Sequence, residues 1–308
     1  MRTFDLSHCD ICPRRCGADR EHGAVGFCGA GSGVSIALVS LHRWEEPCLT
    51  GENGAGTVFF SHCNMKCVFC QNWEVSRCGK GLTVSASRLA EIFLEQQARG
   101  AASLDLVTPT HYVPQIIEAL DAARARGFSL PVVYNCGGYE TVESIEALRG
   151  YVDVFLPDLK YFDDALAVRY SNAPGYFACA SAAIKKMYEL TGPFRMEGGR
   201  MTRGVIVRHL VLPSHYRDSL KILDFLHGEF GGGIYVSLMN QFTPYGLTKE
   251  YKEINRRLTT YEYGKVLDRA EALGMDNCFV QRGRTASEEF IPIFDGRNVE
   301  KDDDGKTS

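Results

Sequence analysis

Alternation of strand-like and helix-like segments is the feature that most restricts how this 308-residue chain can fold. From residue 57 onward, short apolar runs rich in Val, Ile, Leu and Phe are separated by segments whose apolar residues recur at helical spacing. Strands that alternate with helices in this way predict a parallel sheet with crossover helices. The strand-like runs are 57–61, 104–107, 131–135, 152–158, 204–212 and 234–239, and the helix-like segments are 87–99, 114–126, 218–227 and 260–273.

Six strands are too few for a closed eight-stranded barrel, so a partial barrel and a doubly wound sheet are the two architectures that fit. In both, ligands bind at the carboxyl ends of the parallel strands. Residues that directly follow a strand-like run are therefore the candidates for chemistry.

Composition argues against several other classes of protein. Apolar residues make up 45% and charged residues 23% of the chain, which is typical of a globular protein. The net charge of −4 and the lack of a basic block argue against binding to nucleic acid or to a membrane surface. No apolar run approaches the roughly 20 residues of a membrane-spanning helix, and residues 1–7 carry no apolar signal segment. We therefore expect a cytoplasmic protein.

Twelve cysteines, unevenly spread, suggest how the chain is organised. In a reducing compartment, clustered cysteines bind metal more often than they form disulfides. We therefore interpret residues 1–50, which hold five of the cysteines, as a metal-binding N-terminal segment. Residues 51–294 contain the alternating elements and form the main domain, and the polar residues 295–308 are expected to be a disordered tail.

A compact cysteine triplet follows the first strand-like run. Cys63, Cys67 and Cys70 form the pattern C-x3-C-x2-C, and a loop this short can direct three thiolates at one centre. Three thiolates are one fewer than the usual four ligands of a [4Fe–4S] cluster, so such a cluster would keep one iron open for a substrate. The alternative is a structural zinc site completed by another cysteine such as Cys78, but zinc sites favour paired C-x2-C elements. The spacing therefore favours iron–sulfur.

The triplet, with the aromatic Phe69 before its third cysteine, resembles the signature of the radical S-adenosylmethionine (SAM) enzymes. Within that superfamily, other segments resemble the pyruvate formate-lyase activating-enzyme branch and its uncharacterised relatives that carry an N-terminal cysteine group. The resemblance covers most of residues 55–285 and implies a partial (β/α)6 barrel. The segments that carry the resemblance to the branch are Gln71-Asn72, 133–138, Asp158-x-Lys160 and 206–213.

For this chain the resemblance implies a [4Fe–4S] cluster on Cys63, Cys67 and Cys70, with its open iron chelated by the amino and carboxylate groups of SAM. One electron from the cluster would cleave SAM to methionine and a 5′-deoxyadenosyl radical, which takes a hydrogen atom from a substrate. The resemblance further implies an anaerobic oxidoreductase that receives its electron from a low-potential flavodoxin or ferredoxin.

Side chains at several strand ends are expected to bind SAM. Asp158 and Lys160 place both signs of charge on one face of a strand, and Asn135 supplies an amide. A solvated charge pair and a turn asparagine are the alternatives. Arg208 and His209 alternate along one strand, so only one of them faces inward, and Arg208 is the better partner for a carboxylate. The remaining candidates are Phe69, Asn72 and Gln241.

The end of the second strand-like run departs from the activating enzymes. Those enzymes carry a Gly-Gly-Glu there that binds the SAM ammonium, whereas residues 107–111 of this chain read Val-Thr-Pro-Thr-His. We expect the oxygen atoms of Thr108 and Thr110, and a neutral His111, to accept from the ammonium instead. The departure weakens the expectation that the substrate is a glycyl-radical enzyme.

Four cysteines near the N-terminus form a second candidate metal site. Cys9, Cys12, Cys16 and Cys28 give C-x2-C-x3-C-x11-C, and four thiolates close a site, as in structural zinc or an auxiliary iron–sulfur cluster. A segment this short has no core of its own, so a metal would supply most of its stability. The spacing does not choose between zinc and iron, and reduced unpaired thiols are the alternative.

Two classes of function follow from these features. The first is a radical SAM enzyme, which either activates a glycyl-radical enzyme or modifies a small molecule or peptide. The second is a non-catalytic metal-binding scaffold. The intact triplet together with Asp158 and Lys160 favours the enzyme. Glu45 and Glu46, which precede the first strand-like run, are expected to be solvated, with a position in the cavity wall as the alternative.

Overall fold

The fold is an open barrel of parallel strands with helices on its outside. The computed structural model describes residues 4–281 and 292–300. Its strands are β1 (Val34–His42), β2 (Ala55–Phe60), β3 (Leu82–Val84), β4 (Leu104–Val107), β5 (Val132–Cys136), β6 (Val154–Pro157), β7 (Arg195–Glu197), β8 (Arg200–Leu210), β9 (Tyr235–Met239) and β10 (Cys278–Val280). Its α-helices are α1 (Pro47–Thr50), α2 (Trp73–Ser76), α3 (Ala86–Ala98), α4 (Val113–Arg124), α5 (Val142–Ala147), α6 (Asp164–Ser171), α7 (Tyr176–Thr191), α8 (Tyr216–Phe230) and α9 (Thr260–Ala272). Short 3-10 helices span Leu6–His8, Thr110–Tyr112 and Gly246–Glu250.

The parallel strands follow one another across the sheet in chain order. The described residues give the order β10-β9-β8-β6-β5-β4-β2-β1-β3, with β7 paired to β8. All neighbours from β2 to β10 along this path are parallel, whereas β1 is antiparallel to both β2 and β3. A doubly wound sheet reverses its strand order at a switch point, so the sequential order identifies a barrel. Within the described ranges no pairing joins β3 to β10, and the barrel is therefore partial, as predicted.

The two faces of the curved sheet are covered differently. Leu104 and Leu106 of β4 face outward and are fully buried beneath the crossover helices. On the inner face, Cys48 and Leu49 of α1 pack against a small apolar cluster from β5, β6 and β8. Because α1 lies in the connection between the end of β1 and the start of β2, it closes the amino-terminal end of the barrel. The carboxyl end of the inner face remains for a cavity.

The predicted helices form at their expected positions as α3, α4, α8 and α9. A capping box begins α9, in which Thr259 accepts from the Glu262 backbone and Glu262 accepts from the Thr259 backbone. The sequence interpretation omits α7, although its buried residues Ala180, Ile184 and Met187 repeat at helical spacing and could have revealed it. Within the two described ranges, no helix is both long enough and apolar enough to cross a membrane.

The expected division at residue 50 does not coincide with a structural boundary. β1 belongs to the main sheet, where residues from Ile36 to His42 pair with β2. The irregular N-terminal segment therefore ends before Val34. It is anchored to the barrel through Ile11, which is 1% exposed and whose carbonyl accepts a hydrogen bond from Thr141 Oγ1 at 3.0 Å.

The start of the expected disordered tail is packed on the barrel. The Gly296 backbone nitrogen donates to the Ala37 carbonyl at 3.0 Å, and the Val39 nitrogen donates to the Arg297 carbonyl at 3.2 Å. These contacts cover the edge of β1 beyond its pairing with β3, because β3 reaches only as far as Ile36. Val299 is fully buried. Residues 301–308, the rest of the predicted tail, lie outside the described residues.

We expect Val299→Ala to lower the free energy of unfolding by about 2 kcal/mol, because it removes two buried methyl groups and leaves a small cavity. Glu300→Ala, at the exposed neighbouring position, is the matched control and should change stability by less than about 0.5 kcal/mol. Chemical denaturation monitored by circular dichroism measures both. Equal stability of the two variants would mean that this segment is solvated, as the sequence interpretation expects.

Candidate active site

The cysteine triplet lies in the loop that follows β2, at the carboxyl edge of the parallel strands. The end of α6 holds this loop in place. The Lys66 backbone nitrogen donates to the Ser171 carbonyl at 3.0 Å, and the Val68 nitrogen donates to the Tyr170 carbonyl at 2.8 Å. The Asn64 side chain also donates to the Tyr139 carbonyl at 2.6 Å. These contacts hold the loop against the end of α6 and against Tyr139.

The three sulfurs of the triplet have the surroundings of cluster ligands. Within the described residues, no three His, Cys, Asp or Glu side chains converge on a single metal ion. A [4Fe–4S] cluster does not need such convergence, because each thiolate binds a different iron, and polar donors to the sulfurs tune it. The donor set therefore fits a cluster. The donors are Met65 N to Cys63 Sγ at 3.4 Å and Ser171 Oγ to Cys67 Sγ at 3.0 Å, and Ser76 Oγ lies 3.3 Å from Cys70 Sγ.

A cavity of about 450 Å³ lies beside the triplet and extends into the barrel. Cys67 and Cys70 form part of its wall. The structure thus brings the cysteine loop and the strand ends to one space. Of the ten side chains that the sequence analysis expects around SAM, seven line this space, namely Phe69, Asn72, Asn135, Asp158, Lys160, Arg208 and Gln241.

An ion-pair network crosses the cavity wall. Asp158, just after β6, pairs with the Lys160 ammonium through Oδ2 and accepts from Arg208 Nε through Oδ1 at 3.1 Å. Arg208 on β8 also donates through Nη2 to Asn135 Oδ1 on β5 at 2.5 Å. Its Nη1 lies 3.7 Å from Glu45 Oε2, in the segment before α1. One guanidinium therefore contacts groups from three other parts of the chain.

The charges of this network stabilise one another despite their burial. Burial alone would raise the pKa of Asp158, but the Lys160 and Arg208 charges outweigh it and hold that pKa below its usual value. Burial opposes the charge of Lys160, yet Asp158 and the Cys67 thiolate raise its pKa. Both groups are therefore charged at neutral pH. Burial raises the pKa of the Cys67 thiol, and the Lys160 charge opposes part of that rise.

The apolar and amide groups of the wall lie nearer the triplet. The Phe69 ring packs edge-on against Phe242, with ring centroids 5.8 Å apart. Gln241, after β9, accepts through Oε1 from Gln281 Nε2 at 3.1 Å. Asn72 begins α2 without capping it through its side chain, so its amide is not engaged in a helix cap. These groups offer a ring face and amides to a ligand.

Three of the expected SAM ligands lie away from the cavity wall. Thr108 has a left-handed backbone with φ of 61°, and the 3-10 turn that follows directs the chain into the outer layer. There Thr110 donates to the Glu140 carboxylate, and His111 Nε2 donates to the Ser61 carbonyl at 2.8 Å. Burial lowers the pKa of His111 to about 3, so the ring is neutral, as assumed, but it is 2% exposed.

Arg208 and His209 divide between the two faces as the strand alternation predicts. Arg208 lines the cavity. His209 is packed in the outer core, where Nδ1 donates to the Leu159 carbonyl at 2.7 Å and Nε2 accepts from Ser219 Oγ at 2.8 Å. Burial lowers the pKa of His209 to about 4, which keeps the ring neutral.

The four N-terminal cysteines lie in the irregular segment before β1. Cys9, Cys12 and Cys28 are buried, whereas Cys16 is exposed. Burial raises the pKa of Cys12 to about 12 and also raises that of Cys28. In the part of the chain that the structure describes, these sulfurs do not converge on a single ion.

Sequence reasoning undervalued three acidic residues. Glu45 and Glu46, expected to be solvated, line the cavity, and the side chain of Glu45 is only 11% exposed. Asp105 in the middle of β4 is 1% exposed and faces the barrel interior. A single charged residue within the apolar strand Leu-Asp-Leu-Val was the signal that could have identified it.

The amino-acid sequence matches one family model and one relative. A family model described as the radical SAM superfamily matches residues 57–226. The uncharacterized protein MJ0674 of Methanocaldococcus jannaschii is 32% identical over 281 residues, which cover 88% of this chain and 76% of that protein.

Solved structures show more distant likenesses. SuiB of Streptococcus suis, solved with its precursor peptide SuiA, is 13% identical with a TM-score of 0.48, over 71% of this chain and 46% of SuiB. HydG, a maturase of the [FeFe]-hydrogenase, is 11% identical with a TM-score of 0.46, over 70% of this chain and 48% of HydG. The chain spans about half the length of these two proteins. The family match covers more than half of the chain and includes the triplet, so the chain belongs to the radical SAM superfamily.

Proposed function

We propose that this chain is an enzyme that cleaves SAM reductively and uses the resulting radical on a substrate held in the barrel cavity. The observation that carries the proposal is that Cys67 and Cys70 share one cavity with the network of Asp158, Lys160 and Arg208. A solvated charge pair would lie on the surface, whereas here both Asp158 and Lys160 are largely buried beside the triplet.

Cys63, Cys67 and Cys70 would hold a [4Fe–4S] cluster, which when bound supplies the electron and the open iron for splitting SAM into methionine and a 5′-deoxyadenosyl radical. The chain's own residues bind and orient SAM. Lys160 directs one of its three N–H donors to Asp158, so two N–H donors remain for the carboxylate of SAM. Asp158 holds Lys160 in position, and the buried wall excludes water from the reacting groups.

The lining of the cavity supports one class of substrate over the other. The resemblance to activating enzymes implies a glycyl-radical enzyme, whose reacting glycine would enter as an uncharged loop. Glu45, which Arg208 reaches only at 3.7 Å, and Glu46 add carboxylates to the wall, and a glycine loop brings no further cation to them. We therefore favour a small molecule or peptide side chain that carries its own charge. A low-potential flavodoxin or ferredoxin remains our expectation for the reductant.

We expect reduced, iron-loaded protein to release 5′-deoxyadenosine slowly from SAM without substrate. Cys67→Ala should abolish this release and the cluster of the triplet, because it removes one of three iron ligands. Cys78→Ala, at an exposed neighbouring cysteine, is the matched control and should retain both. Chromatography of the nucleoside and iron analysis measure the outcome. A fully loaded, dithionite-reduced wild-type sample that releases no nucleoside would contradict the proposal and favour a non-catalytic scaffold.

We further propose that Cys9, Cys12, Cys16 and Cys28 bind a second metal centre. Arg20 supports this, because it is fully buried and has no carboxylate partner among the described residues. Its guanidinium donates to the Gly31 and His111 carbonyls and lies 3.9 Å from Cys9 Sγ. A buried cation requires a counter-charge, which neutral thiols do not supply and metal-bound thiolates do.

The second centre predicts metal in a protein that lacks the triplet. A variant with Ala at positions 63, 67 and 70 should still contain about one four-iron cluster or one zinc ion per chain. Adding Cys9→Ala and Cys28→Ala should remove that metal, whereas adding Cys179→Ala should not. Elemental analysis and Mössbauer spectroscopy of anaerobically purified protein provide the measurement. A folded triplet variant without metal would refute the second centre.

A further inference from the structure

The inner end of the cavity holds more carboxyl groups than it has cations to pair with them. Glu45 and Glu46 enter the barrel from the segment before α1, and both line the cavity. Asp105 lies on the inner face of β4, two residues before Val107, which also lines it. Two residues along a strand span roughly 6.6 Å, so Asp105 lies about that much deeper in the barrel than Val107 of the cavity wall. We refer to Glu45, Glu46 and Asp105 as the acidic floor.

Asp105 has an unusual position for a carboxylate. It is 1% exposed, and the one polar side chain that acts on it, the Asn135 amide, does not reach either of its oxygens in good hydrogen-bond geometry within the described residues. The charged groups that act on it are Glu45, Glu46 and Arg208, all of which line the cavity. An unpartnered buried carboxylate costs free energy, so a position of this kind requires a ligand or a proton.

The cations of the network are already engaged elsewhere. Lys160 pairs with Asp158, and Arg208 donates to Asp158 and Asn135. The remaining contact of Arg208 is with Glu45, at the long distance of 3.7 Å. Burial, with the neighbouring carboxylates, raises the pKa of Glu46 to about 7 and that of Asp105 well above its usual range, against the opposing charge of Arg208. The carboxyl groups of Glu46 and Asp105 therefore lack a nearby cation of their own, and their raised pKa values reflect that lack.

We propose that the acidic floor binds a protonated nitrogen of the substrate, as an alkyl ammonium or guanidinium group. The inference rests on the proposed function and specifies the substrate class of that same cavity. A cationic nitrogen brings two or three donors, which are the partners that the free oxygens of Asp105 lack. With the nitrogen on the floor, an aliphatic chain of the substrate extends along the cavity toward Cys67 and Cys70. The floor sets the substrate's position, and the bonds that react lie nearer the triplet.

Three probes with one carbon skeleton test this proposal, namely n-pentylamine, 1-pentanol and pentanoate. Their binding to reconstituted protein that contains SAM would be measured by isothermal titration calorimetry under anaerobic conditions. We expect pentylamine to bind about tenfold or more tightly than pentanol, since a charge-assisted contact replaces a neutral one, and pentanoate to bind most weakly. A lack of preference for the amine, or no binding of it up to about 10 mM, overturns the proposal.

Neutral isosteres in the acidic floor test its residues. Glu45→Gln and Asp105→Asn should each weaken pentylamine about tenfold or more while leaving pentanol unchanged. Glu45→Gln keeps the test decisive if Asp105→Asn fails to fold. Glu52→Gln, at an exposed position, is the matched control and should bind pentylamine as the wild type does. Unchanged amine binding in a folded floor variant overturns the proposal.

SAM cleavage in the same wild-type sample separates this inference from the proposed function. If 5′-deoxyadenosine forms without a preference for the amine, only the acidic floor inference fails. If the loaded, reduced protein forms no nucleoside, the proposed function itself fails.

Discussion

The guanidinium of Arg208 connects three separate parts of the chain inside this barrel. It contacts Asp158 after β6, Asn135 on β5 and Glu45 in the segment before α1. Buried charges are costly to desolvate, and removing one partner from such a network typically costs about 3–5 kcal/mol. The network therefore adds little to the free energy of unfolding. Its role is to hold the carboxyl ends of β5, β6 and β8 in fixed positions relative to one another. The cavity beside the triplet depends on that arrangement.

The N-terminal segment braces the cysteine loop and is part of the site's support. Arg14 donates through Nε to the Asn64 carbonyl at 3.0 Å, and its Nη2 donates to the Asn172 carbonyl at the end of α6. The guanidinium also lies over the Phe27 ring, with its carbon 3.6 Å from the centroid. A metal centre in this segment would hold Arg14 in place and, through it, the loop that carries Cys63 and Cys67. The two cysteine groups are thus mechanically connected.

Much of the fold and part of the site could be predicted from local sequence patterns. Six parallel strands, the main crossover helices and the inward direction of Arg208 follow from periodicity, because burial imposes it. Long-range contacts could not be predicted in this way. The left-handed turn at Thr108 directs Thr110 and His111 away from the cavity, and Val299 is buried although most residues around it in the sequence are polar. The acidic floor was not predicted as a group because Asp105 lies far along the chain from Glu45 and Glu46.

A SAM titration of the reduced protein, followed by electron paramagnetic resonance, tests the central claim most directly. The claim is that SAM binds at the open iron of a cluster on Cys63, Cys67 and Cys70 while Lys160 holds its carboxylate. We expect SAM to change the spectrum of the cluster in the wild type and in Lys80→Ala, an exposed control. In Lys160→Ala the same change should need about tenfold or more SAM. A wild-type spectrum that SAM leaves unchanged in fully iron-loaded protein would contradict the account.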